Sequence, residues 1–196
     1  MAAPTRFVLI GCGGVGKALL GLLLENGPAA SRLSLAAVLD SHSLLTSATP
    51  GGALSREAVA AVLEAKSRAG GSLSSVAGVA HLALVASPVP LVLPPHLAGL
   101  FVADCTAADT AALLKAAHAA GASLALANKR PLAGPLADFD ALTSDPSRLR
   151  CCATVGAGLP IHAAVSRLLA AGDAVISLAG ALSGTLGARG HAKLEC

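Results

Sequence analysis

The sequence predicts an α/β fold built on a doubly wound parallel sheet, and three observations carry that prediction. Four consecutive apolar residues, FVLI at 7–10, run straight into glycines spaced G-x-G-x-x-G at Gly11, Gly13 and Gly16. An apolar helical stripe at positions 15, 18, 19, 22 and 23 follows at once. Beyond it, short buried strands alternate with helical segments in the order βαβ-αβ-αβ.

Taken in order, the run 7–10 suits a strand buried on both faces of a parallel sheet, because it lacks the alternation of a half-exposed strand. The spacing predicts a helix over 15–26, closed by Gly27-Pro28. In the turn between them Gly11 permits a tight bend, Gly13 lets a pyrophosphate approach the backbone, and Gly16 lets the helix pack on the strand. Free amides at the helix start then face phosphate groups, so Gly11, Cys12, Gly13, Gly14, Val15 and Gly16 form a candidate dinucleotide-binding turn of Rossmann type. With 21 glycines in the chain the spacing alone is weak, but its context strengthens it. The next apolar segment, 33–39, ends in Asp40, 24 residues after Gly16, close to where such folds place the acid that bonds the adenosine ribose. The plainer alternative is that Asp40 caps a loop. Residues 11–17 also spell G-x-x-x-x-G-K, the start of a P-loop, with LFVAD at 100–104 as its acidic strand. Ala18 argues against that reading, because a P-loop needs a Ser or Thr hydroxyl after the lysine. Lys17 is then a solvent-facing helix residue.

After Asp40, Ser41 to Leu45 lead to a loop at Pro50-Gly51-Gly52, and a helix is expected over 55–68 with Ser55 as its N-cap and Val59, Val62 and Leu63 on its apolar side. Gly/Ser-rich sequence at 70–75 reads as a loop. A strand at 100–103 ends in Asp104-Cys105-Thr106, a helix spans 108–120, and the strand 123–127 leads into Asn128-Lys129-Arg130, polar residues at a carboxyl end where open sheets bind ligands. A short helix at 138–143, an extended segment at 151–155, an amphipathic helix at 159–171 and a strand at 174–182 complete the reading. No internal repeat is visible.

Composition narrows the classes. At 54% hydrophobic and 13% charged the 196-residue chain is apolar, and residues 69–103 contain no Asp, Glu, Lys or Arg. Pro88, Pro90, Pro94 and Pro95 would break a spanning helix there, so that stretch reads as strand and loop, with no membrane partner. A net charge of +3 and 2% aromatic residues offer neither a basic stripe nor stacking platforms, so no nucleic-acid partner is expected. The N-terminus leaves no room for a targeting peptide before the first strand, and a cytoplasmic location is expected. The five cysteines lack C-x-x-C spacing, and the six histidines lack ligand spacing, so neither disulfides nor a zinc site is predicted. Cys12 and Cys105 are expected near a bound cofactor and sensitive to alkylation.

Several motifs together resemble the homoserine dehydrogenase family, most closely its small stand-alone plant-type members. They are GCGGVGKALL (11–20), VLDSHSLL (38–45), VADCTA (102–107), ANKRPLAG (127–134), ATVGAGLPI (153–161) and LSGTLG (182–187), in family order and spanning most of residues 7–187. The resemblance implies an oxidoreductase that uses NAD or NADP to reduce aspartate 4-semialdehyde to homoserine, towards threonine and methionine. It implies that Gly11–Gly16 hold the pyrophosphate, Asp40 the adenosine ribose, Thr106 and Ala107 the nicotinamide end, and that Lys129 is catalytic at the cofactor–substrate junction. Independently, a cation at a strand's carboxyl end can orient a carboxamide or substrate oxygen. A family-like homodimer is a further implication.

Two departures stand beside it. The family's monovalent cation site, here backbone carbonyls of Val155 and Ala157, is served by a glutamate at the position of Cys152, and a thiol is a poor ligand for a hard cation. After LSGTLG the family's substrate domain does not follow, and 188–196 looks like an unrelated tail. The expected organisation is therefore a cofactor domain at 1–150, the start of a substrate domain at 151–187, and that tail. Without the full substrate domain the chain is expected to be catalytically incomplete, and the alternative to an enzyme is a non-catalytic dinucleotide-binding or interaction fragment.

Overall fold

The computed structural model describes residues 3–76, 78–79, 81–86, 93–156, 159–177 and 179. Its spine is β1 (Thr5–Ile10), whose run of apolar residues is divided between two cores: Phe7 and Leu9 face one, Val8 and Ile10 the other. The first core is closed by α1 (Gly14–Leu24) through Leu20 and Leu23, and by α3 (Arg56–Ser67) through Ala58, Val59, Val62 and Ala65. The opposite core is closed by α4 (Pro95–Ala98), α5 (Ala111–Ala119) and α6 (Leu136–Thr143), which bring Leu97, Leu114 and Leu142 onto the sheet. Helices thus cover both faces, as continuous apolar strands require.

Among the described residues the sheet has seven strands. Around β1 lie β2 (Leu33–Leu39), β3 (Ser43–Ser47), β4 (Leu82–Ala86), β5 (Phe101–Asp104), β6 (Leu124–Leu126) and β7 (Leu149–Arg150), in the order β4-β3-β2-β1-β5-β6-β7. Pairing is parallel from β2 to β7 and antiparallel at β2–β3 and β3–β4. The fold is therefore the expected Rossmann-like α/β sheet, mostly parallel, with an antiparallel extension at one edge. That extension begins in residues to which the sequence assigned no element, before the expected loop at Pro50-Gly51-Gly52. Ser43 to Ser47 return directly against β2, with Leu44 and Leu45 feeding opposite cores. β2 itself carries a bulge: Phe7 pairs with Leu35 but Val8 with Ala37, so Ala36 is skipped, and its carbonyl accepts from the Thr46 hydroxyl at 3.1 Å.

Smaller differences have local causes. α1 stops at Leu24, short of the expected Gly27-Pro28, and that pair instead opens α2 (Pro28–Arg32), because proline fits the first helical position. Ser55 caps α3 by accepting from the Ala58 amide at 3.2 Å. The extended segment expected at 151–155 is a turn, the Thr154 amide and hydroxyl both donating to the Cys151 carbonyl. α7 (Ile161–Ala170) forms as its periodicity predicts, yet buries none of its residues. Of the strand expected at 174–182, residues 174–177 and 179 are not in a strand, and the rest lie outside the described residues. LSGTLG, the tail at 188–196 and two of the four prolines, Pro88 and Pro90, also lie outside them. Among the described residues no helix is long and apolar enough to cross a membrane.

Candidate functional site

At the carboxyl edge of the parallel strands the three fingerprint glycines meet three different demands. Gly11 has φ +88°, its amide donates to the Leu39 carbonyl at 2.8 Å, and a Cβ there would lie 2.6 Å from Thr106 Cγ2. At Gly16 a Cβ would overlap the Gly11 carbonyl oxygen, so the helix can approach the turn only without one. Gly13 is the opposite case, since nothing lies within 4 Å of its Cβ position. It caps α1 with no side-chain bond and no acid in the first turn, and Gly13, Gly14 and Val15 are exposed. The first-turn amides are thus free for an outside acceptor, and the helix dipole favours an anion there.

An Asx residue directly follows β2, closes β5 and lies two residues beyond β6, and in each case its side chain accepts from the amide two residues on. These are Asp40 from His42, Asp104 from Thr106, and Asn128 from Arg130, at 2.9, 2.9 and 3.1 Å. Beyond that shared turn they differ. Asp40 Oδ1 also accepts from the Ser43 amide at 2.9 Å, and Oδ2 takes the Lys66 ammonium of α3 at 3.1 Å. Burial alone would raise its carboxyl. The bonds from the His42 amide, the Lys66 ammonium and the Ser43 amide outweigh burial and hold it below the ordinary aspartate value. Next to it Ser41 Oγ lies 2.7 Å from His42 Nδ1, both residues exposed.

Asp104 is fully buried, and among the described residues no cation pairs with it. Its Oδ1 accepts from the Thr106 amide and hydroxyl, and its Oδ2 from the Thr110 hydroxyl at 2.5 Å and Asn128 Nδ2 at 3.0 Å. Asn128 Nδ2 reaches Thr106 Oγ1 and the Ala108 carbonyl as well, at 3.0 and 2.8 Å. This network joins the turn after β5 to the turn after β6. It brings Thr106, Ala107 and Lys129 to one edge, Ala107 and Lys129 exposed and Lys129 opening the turn Arg130–Leu132. The four ion pairs among the described residues are Lys66–Asp40, Arg68–Glu64, Lys115–Asp138 and Arg148–Asp145, and Lys129 belongs to none. Sequence reasoning passed over Asp104, Thr110 and Lys66. A carboxylate ending an apolar strand, with threonines two and six residues on, was the available signal for the first two.

The expected sensitivity of Cys12 and Cys105 to alkylation is corrected. Cys12 packs within a core and burial pushes its thiol up to about 12, while burial raises Cys105 to about 11. Neither offers a reactive thiolate. Of the cation-site residues, Val155 is half-buried and Ala157 lies outside the described residues. Cys152 is exposed, and among the described residues no cluster of His, Cys, Asp or Glu could hold a metal ion. A thiol where a hard cation needs oxygen does not fit such a site.

No protein-family model matches the sequence, and no curated protein matches it. Solved structures do resemble it. A homoserine dehydrogenase from Thermoplasma acidophilum aligns at 21% identity and TM-score 0.62, over 90% of this chain and 50% of that one. A Candida auris protein of unknown function aligns at 24% identity and TM-score 0.67, over 94% and 49%. A hyperthermophilic archaeal homoserine dehydrogenase in complex with NADPH aligns at 18% identity and TM-score 0.61, over 83% and 48%. The chain thus spans about half the length of each, and likeness at these identities shows the Rossmann-like fold.

Proposed function

We propose that the chain binds NAD or NADP across the carboxyl ends of β1, β2, β5 and β6, in an oxidoreductase of homoserine dehydrogenase type. The observation that carries the reading is the contrast within the glycine turn: Gly11 and Gly16 are packed shut, while Gly13 and the first amides of α1 stand open. Packing alone explains the first two glycines. An open glycine in front of uncapped amides suits a pyrophosphate brought against the backbone. The archaeal neighbour's NADPH complex supports the ligand class.

In this reading the α1 amides bind the pyrophosphate, the Asp40–Lys66 pair meets the adenosine ribose, and Thr106 and Ala107 border the nicotinamide. A bound nicotinamide supplies or accepts a hydride. Lys129, free of any ion pair among the described residues, holds the carbonyl oxygen of aspartate 4-semialdehyde and stabilises the negative charge that develops there. Asp40 alone would disfavour a 2′-phosphate, but Lys66 offsets its charge, so the site accepts both NADH and NADPH.

Calorimetric titration with NADH and NADPH tests this. The wild-type chain should bind at least one of them, and Gly13→Val should abolish binding while leaving the circular dichroism spectrum unchanged. Equal affinity in the two proteins overturns the pyrophosphate assignment. Activity is read as oxidation of the reduced cofactor with aspartate 4-semialdehyde by this chain extended with a substrate domain of the family, where Lys129→Met should lower kcat by about 10²-fold or more. An unchanged kcat removes Lys129 from the chemistry.

A further inference from the structure

We propose that Asp104, locked by Thr110, is the positioning residue for the nicotinamide end of the cofactor site; the inference rests on the cofactor reading above. Its first ground is what Asp104 connects. The two oxygens gather donors from the turn after β5, the start of α5 and the turn after β6. The first and last of these turns present Thr106 and Lys129. One carboxylate therefore fixes the spacing between the two groups that border the reacting ring.

The second ground is cost. A fully buried carboxylate with no cation beside it among the described residues is an expensive filler for a strand end, where an apolar side chain would suffice. The third is what Thr110 gives up. It occupies the N-cap position of α5 but makes no capping bond, its hydroxyl donating instead to Asp104 at 2.5 Å. Asp109 takes over by accepting from the Ala111 amide at 3.1 Å. A threonine usually serves the helix from that position. Here the helix end is arranged around the carboxylate.

A network that only held the fold would affect all ligands alike, whereas a positioning network acts on the nicotinamide half alone. The experiment compares affinity for the tighter of NADH and NADPH with affinity for the nicotinamide-free fragment carrying the same 2′ group, ADP-ribose or its 2′-phosphate. Thr110→Val, which removes the hydroxyl and keeps the shape, should weaken the dinucleotide about tenfold and leave the fragment within about twofold. Thr110→Ser should restore the wild-type ratio. Equal loss for both ligands, or no loss, overturns the inference and leaves the cofactor reading standing. A wild-type chain that binds neither ligand overturns both. Hydrogen exchange on the wild type gives a measurement that needs no variant. The Thr106 and Arg130 amides, which donate to Asp104 and Asn128, should slow with the dinucleotide and not with the fragment. Equal slowing by both ligands overturns the inference.

Discussion

Asp40, just after β2, and Asp104, the last residue of β5, make the same first bond, yet their surroundings are opposite. Asp40 stands at the rim beside exposed Ser41 and His42, and a lysine from another helix can release it. Asp104 is sealed, with four donors and no such exit. Gly13 and Gly16 repeat the contrast between an open position and a closed one within a single turn. In the proposed cofactor reading, the edge of the sheet thus has adjustable points towards the adenosine and locked points towards the nicotinamide. That is a sensible division where ligand identity is chosen at one end and atoms must be held in register at the other.

The largest expected effect comes from removing the locked acid. Asp104→Ala leaves buried donors from Thr106, Thr110 and Asn128 without an acceptor, and should cost about 3 kcal/mol or more. Asp40→Ala, at the rim, should cost about 1 kcal/mol. Urea unfolding curves with a shared m value compare the two, and similar costs would erase the distinction. The glycine pair comes next. Gly16→Ala forces a methyl onto the Gly11 carbonyl and should destabilise by roughly 1–3 kcal/mol. Gly13→Ala meets open space and should stay within about 0.5 kcal/mol of the wild type. A Gly16→Ala protein as stable as Gly13→Ala would show that α1 does not press on the turn.

These contrasts mark what the sequence could disclose. β1, the glycine turn and α1 were legible because a four-residue apolar run, a fixed spacing and a helical stripe lie within twenty residues of chain. Ser55 and α7 were legible for the same reason, their signals being local. β3 was not. Its five residues hold only Leu44 and Leu45 as apolar signal, and one partner, β4, lies more than thirty residues further on. Pairing across such a distance leaves no periodic trace. The same limit hid the locked acid, whose partners Thr110 and Asn128 come from separate elements, and hid Lys66, which reaches Asp40 across 26 positions of chain. Cys12 was misread because the glycine loop suggests exposure, whereas its side chain turns inward to the core.

The Asp40–Lys66 pair should give a smaller, pH-dependent effect. Asp40's folded pKa lies below its ordinary 3.8, so its stabilising contribution is present above that value and is lost as pH falls through the folded one. Lys66→Met removes one lowering influence, so this acid-side loss should shrink, and stability at neutral pH should drop by about 1 kcal/mol or less. The substitution should also lower NADPH affinity relative to NADH, because the acid, no longer paired, then repels a 2′-phosphate. Thermal melts from pH 3 to 7 and paired titrations read both effects. An unchanged NADPH to NADH ratio would exclude Lys66 from cofactor choice.

The smallest expected effect is at the thiols, where the contrast between sealed and open positions reaches chemistry that needs no ligand. Burial holds Cys12 at about 12 and Cys105 at about 11. At pH 8 the reactive thiolate is then a very small fraction of either residue. Access compounds the deficit at Cys12, which is packed among core residues beneath the glycine turn. Cys152 is exposed and should take up iodoacetamide first, with the burial-raised Cys151 behind it. Peptide mass spectrometry over a labelling time course should therefore place early modification at Cys152, with Cys12 and Cys105 reacting only once the fold is opened by denaturant. Because Cys12 is closed by the protein's own core, saturating cofactor should leave its slow rate unchanged. Labelling of Cys12 as fast as Cys152 in the native protein would mean that the turn opens far more often than its packing allows, and Gly16 would then no longer count among the locked positions.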